Sequence, residues 1–400
     1  MSARPVRIAA IGLGNRTCKY LRYIENHREV AEVVAAVDTD EYRIEHFRKR
    51  FPFEGVRCFA SLEELISSGV GVDACMIGTP DSYHYDLTMS ALDNGWHVLL
   101  EKPMGQTPEQ CREIVRRAAE VNKLVSVCYV LRHHPYFEKL KELSERPEVG
   151  PVVSINHIEN VGIDRAAHTF VRGPWNRREM DTTMFLAKCC HDVDFVLWIA
   201  GNDIRSVRSH VGSNPFRENN APEGSALRCL DCPLEGRCPY SAVDLYYRRK
   251  DWIGGFIPLP GESTDEMIMR YLKESRYGRC VYRCPENDLV DRQTVRLEMT
   301  SGAEVEVIME SLTDSTARET VITCENAVIK GDEDSIEVTY NDGSPSEIYN
   351  FKWAKALGFH GEADFHIVRD FISAISDGVL SVRTSAEKAV FSHLVCFDAD

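Results

Sequence analysis

Between residues 6 and 130, short apolar runs alternate with stretches of helical pattern. VRIAAIG, EVVAAVD, VDACMIGTP, HVLLEKP and LVSVCYV are separated by segments such as SLEELISSG and TPEQCREIVRRAAEVNK. Runs this apolar fit strands buried on both faces, and helices of this length between them call for parallel pairing with right-handed crossovers. The expected class is α/β, opening with a doubly wound domain over residues 1–130. At 400 residues the chain is too long for one ordinary core, so residues 131–400 are read as a second, α+β domain. After Pro135 a helical stretch leads to a strand, VVSINHIENV, then a long loop and another helix. Past residue 290 apolar residues alternate: Val295, Leu297 and Met299, then Val305, Val307 and Met309, then Ile336, Val338 and Tyr340 share one face. That pattern predicts a large open, mostly antiparallel sheet, interrupted by a Cys-rich insertion near residues 212–290.

The formal charge of -15 argues against nucleic acid as a partner, because nonspecific binding of that kind needs basic residues to displace counterions from phosphates. No apolar stretch approaches the roughly 20 residues of a membrane span. The start, MSARPVRIAAIGLGNR, passes from a short polar leader directly into a strand pattern, which reads as cytoplasmic. The chain has 14 cysteines, and in a setting that keeps thiols reduced they are expected to pack or bind metal rather than form disulfides.

AAIGLGNRT sets Gly12 and Gly14 between a buried strand and a helix starting near Asn15. Glycines there allow a tight turn and let backbone N–H groups approach a pyrophosphate at the positive helix end, as in a Rossmann domain. Thr17 stands where the usual third glycine would be, so the fingerprint is incomplete. Asp38 ends the second strand about 24 residues after Gly14, where a carboxylate accepts both ribose hydroxyls and repels a 2'-phosphate. NAD(H) is therefore favoured over NADP(H), with Arg16 and Arg43 as the residues able to reverse the preference.

GTPDSYHYDL and LLEKPM, with HGEADF near the C-terminal end, resemble the glucose-fructose oxidoreductase, inositol dehydrogenase and rhizopine catabolism family, Gfo/Idh/MocA. The resemblance implies that Thr79, Pro80 and His84 lie near the cofactor together with Gly12, Gly14, Asn15, Arg16 and Glu101. It further implies that Lys102 sits between substrate and nicotinamide, and that the open sheet serves substrate binding and oligomerisation, as a dimer or tetramer. Independently, Lys102 follows a parallel strand, where open α/β sheets place ligands, and its ammonium can hydrogen-bond a hydroxyl becoming a carbonyl.

KCCHDVD, residues 188 to 194, matches the family's substrate helix at His191 and Asp194, but Ala187 replaces the aspartate four residues before the histidine. His191 is expected to exchange a proton with the substrate hydroxyl, since imidazole titrates near neutral pH. Lys188, one residue past the missing carboxylate, is expected to face the pocket with Lys102, each ammonium lowering the other's pKa. Arg132 and Trp175 are candidate substrate contacts, the first for polar groups and the second as a platform for a sugar's apolar face.

Cys229-x2-Cys232-x5-Cys238, with Cys280 and Cys284 further on, allows a structural zinc held by Cys229, Cys232, Cys238 and Cys280. The spacing is irregular, and plain buried thiols fit it as well.

These readings converge on an NAD-dependent oxidoreductase moving a hydride between nicotinamide and a secondary hydroxyl of a sugar, glycoside or cyclitol. Two alternatives stay open: an enzyme using retained NAD in a transient redox cycle to break a glycosidic bond, and a non-catalytic, NAD-bound sugar sensor.

Overall fold

The computed structural model describes residues 4–178, 182–252, 264–356 and 362–400. His360 and Gly361 of HGEADF, and the FIPLPGES stretch, lie outside the described residues.

Strand β1 (Val6–Ile11) buries Ile8, Ala9, Ala10 and Ile11 in succession, so neither of its faces meets water. It lies inside a sheet of six parallel strands, with β2 (Ala31–Val37) and β3 (Arg57–Phe59) to one side and β4 (Ala74–Ile77), β5 (His97–Leu100) and β6 (Val125–Val127) to the other. The connecting helices are α1 (Asn15–Asn26), α2 (Glu41–Arg50), α3 (Leu62–Ser67), α4 (His84–Asp93) and α5 (Pro108–Glu120). Helix α5 starts where the sequence says it should: Pro108 needs no N–H partner in the first turn, and the Thr107 hydroxyl accepts the Gln110 N–H at 3.2 Å. The strand order reverses between β1 and β4, which puts a crevice at the carboxyl ends of these two strands.

Helix α6 (Pro135–Ser144) leads to β7 (Val152–Asn160), the long helix α7 (Met184–Ala200) and β8 (Ile204–Val211). In the insertion, short turns precede α8 (Asp265–Glu274). The strands β9 (Arg292–Met299), β10 (Glu304–Glu310), β11 (Arg318–Cys324), β12 (Ala327–Gly331), β13 (Ser335–Tyr340) and β14 (Glu347–Asn350) complete an eight-stranded sheet in the order β14-β13-β12-β11-β7-β10-β9-β8. Only β7 and β10 pair in parallel, so the sheet is mostly antiparallel.

The alternating residues point as the sequence requires: Val295, Leu297, Met299, Val305, Val307, Met309, Ile336 and Val338 are all buried, in one core with Phe137 of α6 and Phe185 and Phe195 of α7. The apolar face is thus the covered one. The outward face carries cross-strand ion pairs, Arg292 with Glu310 at 3.1 Å and Arg208 with Glu298 at 3.4 Å, which stay hydrated.

The last two helices come back to the first sheet. Helix α9 (Ala363–Asp377) buries Ile367, Val368, Phe371 and Ile372 in one cluster with Ile8, Ala10, Leu21 and Ile24, while α10 (Ala386–Asp398) packs on α5 and α7. A boundary at residue 130 separates the sheets but not the helices that cover them. No described helix is long and apolar enough to cross a membrane.

Candidate active site

The β1–α1 turn is built as the glycines predict. Gly12 has φ +78°, and a Cβ there would meet Thr79 at 2.8 Å, so only glycine fits. Gly14 caps α1, whose first residue is Asn15. The third glycine, absent from the helix, has a substitute across the gap: Thr17 is buried against Gly78, where an added Cβ would fall 2.3 Å from the Thr17 hydroxyl. Close packing of helix on strand is preserved by moving the missing Cβ to the other partner.

Asp38 is buried at the end of β2; one carboxylate oxygen accepts the Leu13 N–H at 2.7 Å and the other the Asp40 N–H at 2.9 Å. This fastens the carboxylate beside the glycine turn. Arg43 lies 3.7 Å from Asp38 and 3.9 Å from Asp40. The buried hydroxyls of Thr17 and Thr79 find no hydrogen-bond partner among the described residues. A turn stripped of side chains, a helix start, an anchored carboxylate and two unanswered hydroxyls suit a dinucleotide phosphate and ribose.

Arg16, expected at the cofactor, is held by protein groups. Its guanidinium donates to Glu101 at 2.8 Å, to Asp364 of α9 at 2.6 Å and to the Tyr20 hydroxyl at 2.6 Å. Glu101 also receives the Tyr20 hydroxyl. Burial pushes the Glu101 carboxyl up, but Arg16 and Tyr20 outweigh it and hold the group below its ordinary range. Arg16 and Glu101 therefore form the buried footing of the next residue, Lys102, rather than a free phosphate clamp.

Pro80 is exposed, just before a single turn that carries Asp81. His84 sits with its two ring nitrogens 2.7 Å from the Pro103 carbonyl and 3.0 Å from the Thr79 carbonyl. Fully buried, it ties the loop after β4 to the loop after β5. The Lys102 amine then crosses to the second domain and donates to the Ala187 carbonyl of α7 at 2.5 Å. His191 lies four residues further, on the same helix face and about 6 Å along the axis. Its ring stands 5.4 Å from that of Tyr129, which follows the last strand of the first sheet. The position that lacks the family's carboxylate thus supplies its backbone oxygen to the lysine.

Lys188, one residue on, points elsewhere. Its amine pairs with the fully buried Glu159 of β7 at 2.5 Å. Arg318 bridges Glu159 at 2.9 Å and Asp192 at 2.6 Å, and His157 adds a 3.0 Å contact to Asp192. Burial lowers the Lys188 pKa, Glu159 opposes it, and Arg165 and Arg318 add to it. The expectation that Lys188 faces the pocket in mutual repulsion with Lys102 is corrected: its helix face is turned to the sheet. Arg132 is corrected as well. Its guanidinium makes a bidentate pair with buried Asp194 at 2.7 and 2.8 Å and reaches the Arg383 carbonyl at 3.1 Å, so its fork is fully engaged in the fold.

Trp175 is half-buried and donates its indole N–H to Asp81 at 3.1 Å; Thr182 reaches the same oxygen at 3.3 Å. Asp81 was not singled out from sequence, although it lies inside GTPDSYHYDL. Burial raises its pKa, against the charges of His84 and Lys102 and these two hydrogen bonds. It joins the first domain to the loop ahead of α7. Trp175 also lines a cleft of about 540 Å³, solvent mouth included, with Arg177, Thr183 and Asp288.

The structural zinc that the spacing allows at Cys229, Cys232, Cys238 and Cys280 is not supported. Among the described residues no three His, Cys, Asp or Glu side chains come together so as to hold a metal ion. Cys229 instead lies against the guanidinium of Arg172, which is 1% exposed, 3.8 Å from the Cys229 sulfur, and bonded to the carbonyls of Arg279 and Tyr240. The insertion also has a small apolar core, with Ala242, Leu245, Tyr246, Ile268 and Leu272.

Residues 6–129 match the model of the Gfo/Idh/MocA oxidoreductase family, described as an NAD-binding Rossmann fold. Over these residues the chain is similar to that family. An inositol 2-dehydrogenase from Corynebacterium glutamicum (strain R) is 25% identical over 207 residues, 51% of this chain and 57% of its own. A 1-carboxy-3-chloro-3,4-dihydroxycyclo hexa-1,5-diene dehydrogenase from Comamonas testosteroni is 26% identical over 265 residues, 65% of this chain and 64% of its own. The chain therefore spans less than two thirds of the length of these curated relatives. Among solved structures, an oxidoreductase from Agrobacterium radiobacter in complex with NAD+, L-tartaric acid and magnesium superimposes with a TM-score of 0.70 at 15% identity, covering 98% of this chain and 94% of that one. That likeness is one of fold alone, and it extends over both sheets.

Proposed function

We propose that the protein is an NAD-dependent oxidoreductase acting on a secondary hydroxyl of a cyclitol or sugar. The observation that carries this reading is the contact of the Lys102 amine with Ala187, one helical turn from His191, beside the strand ends that hold the glycine turn. When bound, the nicotinamide supplies the hydride acceptor for the carbon bearing the hydroxyl. Lys102 hydrogen-bonds the hydroxyl oxygen and steadies it as its O–H bond weakens; His191 takes the proton and passes it to solvent. Asp81 keeps the loop before α7 against the first domain, and Trp175, fixed by that carboxylate, offers its ring to the substrate. Lys188, Arg132 and Asp194 orient α7 without touching the substrate. Asp38 selects NAD(H) over NADP(H), because a buried carboxylate already fastened by two N–H groups repels a 2'-phosphate. Names of relatives support a cyclitol as the first substrate to try.

The test is incubation of the protein and NAD with a panel of cyclitols, sugars and aryl glycosides, following nicotinamide reduction and released aglycone together. Reduction with a cyclitol or sugar is expected. Aglycone release without net reduction, or no turnover across the panel, overturns the reading in favour of transient-redox glycoside cleavage or of a sensor respectively.

A further inference from the structure

The Lys102 loop is held from behind by a residue from the far end of the chain. His393, on α10, is fully buried. Its Nε2 lies 2.9 Å from the Met104 N–H, two residues past Lys102. An N–H can only donate, so Nε2 is the bare acceptor and the hydrogen belongs on Nδ1, which stands 2.9 Å from the Ala389 carbonyl. The Tyr129 hydroxyl is 2.9 Å from the same Nδ1 and 2.8 Å from the Ser392 hydroxyl, and the two rings stack with centroids 5.6 Å apart. The Tyr129 ring in turn stands 5.4 Å from His191.

We propose that His393 and Tyr129 are positioning residues that set the two halves of the active site against each other: His393 fixes the Lys102 loop through Met104, and Tyr129, locked to His393, sets the wall against which His191 rests. The inference rests on the reading above that Lys102 and His191 act on the substrate hydroxyl. One buried pair, from the segment just after β6 and from α10, thereby fixes two reacting groups carried on different domains. Proton uptake by His393 would remove the acceptor that Met104 needs. Burial first, and the nearby charges of Lys102 and His84 second, oppose that uptake and hold the ring down to about 4, although the Ala389 carbonyl favours the charged form. The loop stays fastened across the neutral range.

The experiment compares His393→Leu, which fills the volume without an acceptor, with His393→Gln, which restores one, and Tyr129→Phe, which keeps the ring against His191 but drops the hydroxyl. Hydrogen exchange at the Met104 amide, measured on the full chain without substrate, is expected to accelerate in His393→Leu and stay slow in His393→Gln. With the best substrate of the panel, kcat is expected to fall about 10²-fold in His393→Leu, with NADH affinity unchanged, and to recover most of that in His393→Gln. Tyr129→Phe, which spares the core packing, should lose less and keep its NADH affinity. Wild-type exchange at Met104 and a wild-type kcat in His393→Leu would overturn the proposal; if that variant does not fold, a Tyr129→Phe enzyme with unaltered kcat and pH profile does so. Lys102→Met run alongside separates the two levels: if it is inactive while the positioning variants are normal, only this inference falls, and if it is fully active the functional reading falls.

Discussion

Two lysines of this chain meet at α7, Lys102 reaching it from the loop after β5 and Lys188 projecting from it toward the sheet, and their surroundings differ. Lys102 meets a neutral carbonyl at the edge of the crevice, whereas Lys188 meets a buried carboxylate braced by Arg318. A neutral partner is easily exchanged for a substrate oxygen. A buried counter-charge is not, because separating the pair strands both ions in a low dielectric. The α-helix period assigns the roles: Ala187 and His191 share the face toward the first domain, while Lys188 and Asp192 share the face toward the sheet.

The contrast breaks most sharply at Lys102. Lys102→Met is expected to lower kcat/KM about 10³-fold while leaving NADH binding and Tm near wild type, measured by steady-state kinetics and melting. Lys188→Met should do the reverse, leaving Glu159 uncompensated and reducing stability by about 3 kcal/mol in denaturant unfolding. Double replacement of Lys188 and Glu159 by apolar residues should return much of that loss. If Lys188→Met melts normally but loses turnover, the two roles are exchanged.

Acid probes the buried histidines, of which His393 lies behind the Lys102 loop. His393 and His133 are held down to about 4 and His168 to about 3, in each case first by burial. Their unfolded pKa is about 6.5, so the unfolded chain takes up protons first as pH falls. The stability they contribute is complete above about pH 6.5 and is lost progressively toward their folded values. The slope is at most about 1.4 kcal/mol per pH unit for each histidine. A Tm that falls between about pH 7 and about pH 5, with a gentler fall in His393→Gln, is expected.

The smallest effect belongs to the cofactor turn. Asp38→Ser should shift the NADH to NADPH affinity ratio about tenfold toward NADPH, by fluorescence titration, without altering the fold. An unchanged ratio removes Asp38 from cofactor selection.

What could be read from sequence follows from how far apart the cooperating residues lie. Gly12, Asp38 and the strand-end Lys102 occupy places fixed by one β–α unit at a time, so local spacing is enough to find them. The alternation of Val295, Leu297 and Met299 named the buried face without naming what covers it. The partners of Arg132, Lys188 and Cys229, namely Asp194, Glu159 and Arg172, come from distant segments that local spacing does not reveal. An arginine or lysine reads as available until its carboxylate is located. Asp81 was within reach: an acidic residue between a strand end and a helix start, inside the motif that drew attention, is placed to bind across a crevice. His393 carried no such signal, since nothing local links it to Met104.

The most direct test is a structure of the protein with NAD and a substrate from the panel. The account predicts one hydroxyl oxygen within hydrogen-bonding reach, about 3 Å, of both the Lys102 amine and the His191 imidazole, its carbon facing the nicotinamide. A substrate touched by only one of them, or seated in the cleft by Arg177 with both side chains turned away, would contradict it.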